Sequence, residues 1–594
     1  MRMRYSFVIL ACTALSFIFT GYQSLVADHY IYFPPIFHSL AGISVSSGDM
    51  LTTFNQLQYT LFGDLFVGLV KFSGLNVFVA MFLLTAASRA LVFWGVMRLA
   101  RFFSGSDVYA MLAPLLFVAG SPVFGTGKDT LDAYLHPYML ALALGLLSLT
   151  FLLEKRTVVA SALSGASFLI HPLGTLPFFL LSMFTLLGAG NARSMLRAGL
   201  QFAAFPVLCA VWLFAAGGAG SGGGFFRTID PAWLAAIMAH EPYVFITRWG
   251  SIPWAYLLPA FVSGAVAFFT LKNSDRSRRL VLWGTILLPF AGIASALLLV
   301  DALHLAFFTA VQMARLLVLS KYVLLIVLGY HVFEHARSHP RDLLYLFFGL
   351  GVVCSLGLRE VGVWPFLLPF VFLWCLRYTS ARQWLTPRYD GFFALCLYVF
   401  FWCALGLVPV FFHTASAVAL VRNIAFMNVL VVLFFGLFLA WRAYGGRLAR
   451  ISAALCIAIG LVASAVLLQR PFSFSSAIDP ALTALCTWIQ GNTPDNALFL
   501  ADPNALDGHY VRSLCNRGVY VMENDGAQAV FNRAYALEWT RRMQFTTLFA
   551  ATSSISAAQW AHEGVTHVLL RHSVVGLGAP VYDQNGYSIY AVSK

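Results

Sequence analysis

The sequence predicts a polytopic α-helical membrane protein of about 13–15 spans, ending in an extracytoplasmic α/β domain. Three observations predict it. First, 60% of the 594 residues are hydrophobic and only 10% are charged, with a mean hydropathy of +0.80; soluble chains carry about 25% charged residues. Second, apolar residues come in long blocks, such as 76–97, 136–153, 281–300 and 428–440, rather than along one helical face. Runs of roughly 18–25 such residues match a hydrocarbon layer of about 30 Å. Third, the composition changes at Pro471, and short strand and helix patterns replace the blocks. The chain therefore divides into a transmembrane part, 1–470, and an outer domain, 471–594.

The net charge of +13 would suit a nucleic-acid binder, but its distribution excludes that reading. Arg2, Arg4, Arg98, Arg101, Lys155, Arg156, Arg193, Arg197, Lys272, Arg276, Arg278 and Arg279 fall in alternate gaps between blocks, as do Arg337, Arg341, Arg377, Arg382, Arg388, Arg442, Arg447 and Arg450. The intervening gaps hold fewer: Lys71, Lys128, Arg227, Arg248, Arg315, Lys321, Arg359, Arg422 and Arg470. Positive charge stays cytoplasmic during insertion, so the N-terminus is expected inside and the C-terminal domain outside a plasma (inner) membrane. The first block, 5–22, follows Met-Arg-Met-Arg and is long for a secretory signal, so it is read as an uncleaved first span.

Long gaps face outward. The first, 23–72, is rich in aromatics and contains Asp28, His29, Asp49 and Asp64; 125–135 holds Lys128, Asp129 and Asp132. The gap 217–251 opens on a glycine-rich run without the Gly-Lys-Ser/Thr ending of a phosphate loop, and continues into Asp230-Pro231, a helix start. The stretch 158–188 is interrupted by His171-Pro172 and flanked by basic residues, so it should enter and return as a hairpin. In the tail, Asp479-Pro480 starts a helix to about Gln490. Segments 497–501, 518–522, 566–570, 580–582 and 587–592 read as strands, and 534–549 and 555–563 as helices. Asn585-Gly586 marks a hairpin between the last two strands. All but two of the nine cysteines, Cys12, Cys209 and Cys403 among them, lie in apolar blocks. Cys486 and Cys515 fall in the outer domain, where either a disulfide or two reduced buried thiols fits.

Several polar residues stand out against this background. His331, His335 and His339 share one helical side, a spacing zinc could use, but they sit at a basic helix end before Pro340. His136-Pro137 and His171-Pro172 stand at membrane-surface ends of spans, as interfacial histidines or as substrate contacts. Arg89 lies inside an apolar block, where a cation costs at least about 2.5–3.5 kcal/mol, so it requires a structural partner or an anionic ligand. Asp28 lies just past the first span, within Ala27-Asp28-His29-Tyr30-Ile31-Tyr32-Phe33-Pro34-Pro35.

This layout resembles the C-type glycosyltransferase superfamily, the multi-span enzymes that use polyprenyl-phosphate-linked sugars and include protein mannosyltransferases and aminoarabinose transferases. The likeness lies in the many spans, the acid opening a long first outer loop and the outer C-terminal domain. It extends to Trp488-Ile489-Gln490-Gly491-Asn492-Thr493-Pro494 and Asn585-Gly586-Tyr587-Ser588-Ile589-Tyr590, similar to tails of bacterial membrane transferases. That superfamily commonly pairs two acids in the first loop, whereas here His29 follows Asp28. The resemblance implies Asp28 as general base for an acceptor hydroxyl and Arg315 as the cation facing the lipid phosphate, with Gln312 on the same helical face and Lys321 nearby. His29, Arg89, Lys128, Asp129, Asp132 and His171 complete the substrate-binding candidates. No cofactor or metal is expected; the partners are the bilayer, the lipid-linked donor and a glycan, lipid or protein acceptor. A transporter or lipid flippase and a non-catalytic membrane assembly protein are the alternative readings.

Overall fold

A computed structural model describes residues 2–44, 46–188, 191–216, 227–271, 274–358, 363–378, 396, 398, 480–552, 557–571 and 578–592. The glycine run at 217–226, the block 428–440, Cys403, Lys272, Arg359, Arg382, Arg388, Arg422, Arg442, Arg447, Arg450 and Arg470 lie outside the described residues. Five described helices are long and apolar enough to cross a membrane: Val77–Ser104, Ala192–Leu213, Pro253–Leu271, Arg276–Ala302 and Ala306–Ser338. Seven more apolar helices are shorter, among them Pro137–Leu153, Thr157–Ile170 and Pro172–Leu186.

One short helix, Pro137–Leu153, is shielded by its neighbours. Pro137–Leu153 has almost no polar side because it packs against Val77–Ser104, Thr157–Ile170 and Pro172–Leu186 together. The hairpin read from His171-Pro172 is present. His171 separates the two helices with extended backbone (φ −162°, ψ 101°), and its Nδ1 accepts the Gly174 N–H at 3.1 Å. Gly174 is required there, since a Cβ would stand 2.9 Å from the Tyr138 carbonyl oxygen. Basic groups gather at the opposite end of these helices. Arg98 pairs with Glu154, Arg156 lies over Phe151 and Arg278 over Phe102. Pro137–Leu153 has 17 residues, so its two ends stand about 25 Å apart at 1.5 Å per residue.

Strands β1 (Pro122–Val123) and β2 (Lys128–Asp129) form a small antiparallel hairpin. The C-terminal sheet comprises β3 (Leu498–Leu500), β4 (Gly518–Val519), β5 (His567–Leu570), β6 (Tyr582–Gln584) and β7 (Tyr587–Ala591), in the order β4-β3-β5-β7-β6. Its β4-β3-β5 half is parallel and the remainder antiparallel. The hairpin turn falls at Asn585 (φ 55°) and Gly586 (φ 79°), where both residues have the positive φ of a type I′ turn. The strand expected at 580–582 is shifted to Tyr582–Gln584, because Asp583 and Gln584 pair with Ser588 and Tyr587. The sequence reading also missed the helix Leu506–Ser513.

Each face of the sheet has its own core. On one, Leu485, Ile489, Phe499, Val511 and Ile589 surround the Cys486–Cys515 disulfide. On the other, Leu498, Leu500, Trp539, Trp560 and Tyr590 pack with Met50 and Phe54 of the loop that follows the first helix. The loop thus completes the core of the C-terminal domain. Arg512, fully buried, seals the contact: its Nε donates to Asp49 at 2.8 Å, and Nη1 and Nη2 donate to Asp525 at 2.7 and 3.0 Å.

Candidate functional site

The polar end of Pro137–Leu153 gathers charge from four segments. After the first helix the chain passes Leu25 (φ 54°) and Ala27 (φ 47°), both in the left-handed region. Such strain persists only where surrounding contacts impose it, and it concentrates at sites. The helix His29–Ala41 then begins with Asp28 at its N-cap. The carboxylate of Asp28 makes no cap bond. It turns instead to Lys128, presented by the β1–β2 hairpin with Nζ at 3.2 Å, and to His136, whose Nε2 is 3.0 Å away.

His136 is itself oriented. Its Nδ1 meets the Asp132 carboxylate at 2.8 Å, one helical turn earlier in sequence. Asp132, His136 and Asp28 therefore form a carboxylate–imidazole–carboxylate chain ending on a carboxylate that is 32% exposed, while His136 itself is only 1% exposed. Burial opposes the charge on Asp28. The Lys128 ammonium, with the hydrogen bond and charge of His136, overcomes that and holds the carboxyl well below the usual carboxylate range.

Arg89 and His29 fix this geometry from behind. Arg89 donates to the carbonyls of Gly21 (2.8 Å) and Asp132 (2.7 Å) and to the Ser16 hydroxyl (3.2 Å), tying the chain before Asp28 to the loop carrying Asp132. Of its two expected uses, this is the structural one. Burial pushes the His29 ring down to about 3. It is neutral at neutral pH and donates from Nε2 to the Leu135 carbonyl at 2.7 Å.

Arg315 approaches from another helix. It sits in a short 3-10 turn, Met313–Leu316, because Gln312 adopts a left-handed conformation (φ 52°) that ends Ala306–Val311. The expectation of one helical face shared by Gln312 and Arg315 is therefore corrected: the break turns the backbone between them. Among the described residues four arginines are buried: Arg89, Arg315, Arg512 and Arg517. Arg89, Arg512 and Arg517 donate to carboxylates, carbonyls or hydroxyls. Arg315 has only the Tyr138 ring, 5.7 Å from its Cζ, and its Nε has no hydrogen-bond partner.

Arg315 and Asp28 nevertheless stand near the same aromatic side chains. The Tyr138 ring lies under both Arg315 and Lys128, whose Nζ is 5.6 Å from its centroid. The hydroxyls of Tyr32 and Tyr243 each feel the Asp28 and Arg315 charges together. His171 closes the same side, its ring 6.1 Å from His136 and 5.8 Å from Tyr138. The Tyr138 hydroxyl and Gln312 Oε1 are buried without partners.

The structure thus brings together Asp28, His29, Arg89, Lys128, Asp132, His136, His171 and Arg315, and adds Tyr138, Tyr32 and Tyr243. The Asp132-x-x-x-His136 spacing just before Pro137 was the available signal for His136. Lys321 is committed elsewhere: its Nζ donates to the Leu356 carbonyl, and it lines a separate cavity of about 60 Å³. Asp129, paired opposite Pro122 in β2, is near enough for its charge to act on Lys321 and Tyr138. His331 and His335 form no common metal site with His339; they bond to Thr270, Tyr345, Tyr378 and Asp342.

Residues 480–545 match a domain of unknown function, DUF6798. The match includes Arg512 and Asp525, which hold the first outer loop. No curated protein matches the chain.

Proposed function

We propose that the chain is a multi-pass glycosyltransferase of the plasma (inner) membrane, with about 13–15 spans, a cytoplasmic N-terminus and the C-terminal domain outside. It transfers a sugar from a polyprenyl-phosphate donor to an acceptor hydroxyl, with inversion. The observation that carries this reading is Arg315, a buried arginine with no carboxylate partner among the described residues, near the same tyrosines as the Asp28 carboxylate. Unpaired buried charge is costly, so such a cation is suited to an anionic ligand.

In the reaction, the acceptor oxygen attacks the anomeric carbon as the bond from that carbon to the phosphate oxygen breaks. The electron pair leaves with the phosphate, facing Arg315, and the acceptor proton passes to Asp28. A carboxylate as weakly basic as Asp28 suffices, because the hydroxyl becomes strongly acidic as its oxygen bonds to carbon. Asp132 and His136 orient that carboxylate, and Lys128 keeps it charged. An apolar crevice of about 240 Å³, lined by Leu257, Phe261, Phe268, Trp283, Phe290 and Leu317, suits a hydrocarbon tail.

Purified protein incubated with radiolabelled polyprenyl-phosphate sugars should yield labelled product. Asp28→Asn should lose about 10²–10⁴ in single-turnover rate while still binding donor. Arg315→Ala should lose both donor binding and turnover, with Arg315→Lys restoring only part, since the planar fork is gone. The satisfied ion pairs of Asp28 favour one rival, a non-catalytic assembly protein. No transfer from any lipid-linked sugar would decide for that rival, whereas unchanged turnover in Asp28→Asn would remove Asp28 as the base and leave Asp49, Asp129 or Asp132 in that role.

A further inference from the structure

The helix Phe62–Ser73, in the first outer loop, has three unlike sides. Phe62 and Phe66 are buried, 6.4 and 5.3 Å between ring centroids from Phe33 of the helix that Asp28 begins. Leu65, Leu69 and Phe72 are exposed, Phe72 to 95%. At 100° per residue these three fall within about 60° of one another. Asp64 and Lys71, also exposed, lie within about 20° of each other and roughly 120° from the apolar trio. A helix in water has no use for a second apolar side. The division into packing, apolar and charged sectors suits a helix at an oil–water boundary.

Both ends of the helix are fixed at the ends of apolar helices. Just before it, the Leu61 N–H donates to the Leu169 carbonyl at 2.7 Å, two residues from the His171 turn. After it, Gly74 caps the helix in the left-handed region (φ 65°). Asn76 then caps Val77–Ser104, its side chain accepting the Phe78 N–H at 2.9 Å. Leu75, between the two caps, is also exposed. The apolar side is therefore continuous with the start of a membrane-length helix.

We propose that Phe62–Ser73 is an interfacial helix that rests Leu65, Leu69 and Phe72 on the outer leaflet, with Asp64 and Lys71 toward water, and so sets the height of the Asp28 helix above the bilayer. The proposal rests on the membrane reading above. Its occupant is the boundary between lipid head groups and acyl chains, and the contact is made by side chains that stand exposed among the described residues.

The test is site-directed nitroxide labelling of the full chain in phosphatidylethanolamine–phosphatidylglycerol liposomes, with every cysteine except Cys486 and Cys515 replaced by alanine. Single cysteines go to Leu65, Leu69, Phe72, Lys71 and, as a reference, Leu208, which is 66% exposed on Ala192–Ala216. Leu65, Leu69 and Phe72 should collide with oxygen in preference to a water-soluble nickel chelate, at a depth of about 5–10 Å, and Lys71 should show the reverse. The proposal is overturned if the apolar trio prefers the nickel chelate, or if both relaxers are excluded there, as under a covering protein or a second copy. Should Leu208 also prefer nickel, the membrane reading fails with it; oxygen preference at Leu208 alone confines the failure to this helix. Phe72 and Leu65 are 95% and 56% exposed, so cysteine there removes little packing, and the result at these two sites stands apart from any folding defect at Leu69.

Discussion

Arg512→Met isolates the contact between the C-terminal domain and the loop after the first helix. The guanidinium is wholly buried between Asp49 and Asp525. Removing it leaves two buried carboxylates facing each other, with only the N–H groups of Leu51, Val519 and Met522 as compensation. Breaking a buried ion pair from one side costs about 3–5 kcal/mol. The loss falls on a junction to which the loop also contributes Met50 and Phe54, the Tyr30–His509 stack at 3.9 Å, and His38 bonded to the Arg512 carbonyl at 2.8 Å. At about 1.4 kcal/mol per decade, amide-exchange protection of Leu51–Phe54 and of Ile31–His38 should drop by between two and three and a half decades in the full chain. Arg512→Met combined with Asp49→Asn and Asp525→Asn removes the stranded charges and should recover a large part of the protection. Protection in Arg512→Met within threefold of the native chain would refute the reasoning, since the loop would then be held without the triad.

Three further outcomes follow from the outer face. Thiol labelling under denaturing, non-reducing conditions should miss Cys486 and Cys515; the closed loop of 29 residues stabilises the domain by about 3–4 kcal/mol, so reductant should lower its melting temperature, and full labelling without reductant would remove the bridge. His240, at the end of the helix Pro231–His240, pairs with its neighbour Glu241 at 3.1 Å and links the helix to the C-terminal domain through Glu523 at 3.3 Å. Burial opposes its protonation, but its hydrogen bond to Glu241 and the nearby carboxylates raise its pKa above the ordinary 6.5. That contribution is therefore complete below pH 6.5 and is lost as pH rises through the raised value; exchange protection of 231–240 should fall over that interval and stay flat in His240→Gln. Asp28 keeps its charge down to well below pH 3.8, so an acid limb between pH 4 and 8 in the transfer rate should survive unchanged in shape when residual activity of Asp28→Asn is measured.

The fold was legible where one physical demand dominates. Hydrocarbon thickness makes long apolar helices readable, and Asn585-Gly586 declares its turn because both positions need positive φ. Leu506–Ser513 escaped notice because Asp507, His509 and Arg512 are buried as polar partners, which erases the apolar periodicity of its inner side. The site was half legible for a related reason. Asp28 stood out by place, but the partners that give it meaning come from Lys128, 100 residues on, and from His136, oriented by an acid one turn before its own helix begins. Sequence spacing also misled at Gln312, where a left-handed residue breaks the helix that periodicity would continue.

The same comparison separates residues that build the site from those that await something. Arg89, at first sight the most costly cation in the chain, is answered by two carbonyls and a hydroxyl, and the loop it ties carries Asp132. Arg512 is answered by two carboxylates. Arg315 is held by a backbone break at Gln312 and an aromatic ring, neither of which balances its charge. Among the described residues the other buried arginines donate to carbonyls, hydroxyls or carboxylates, whereas Arg315 faces the Tyr138 ring; on the proposed reading it meets the negative group of the donor. That is why Arg315→Ala should cost donor binding, whereas Arg89→Met should displace Asp132 and cost turnover through the orientation of His136.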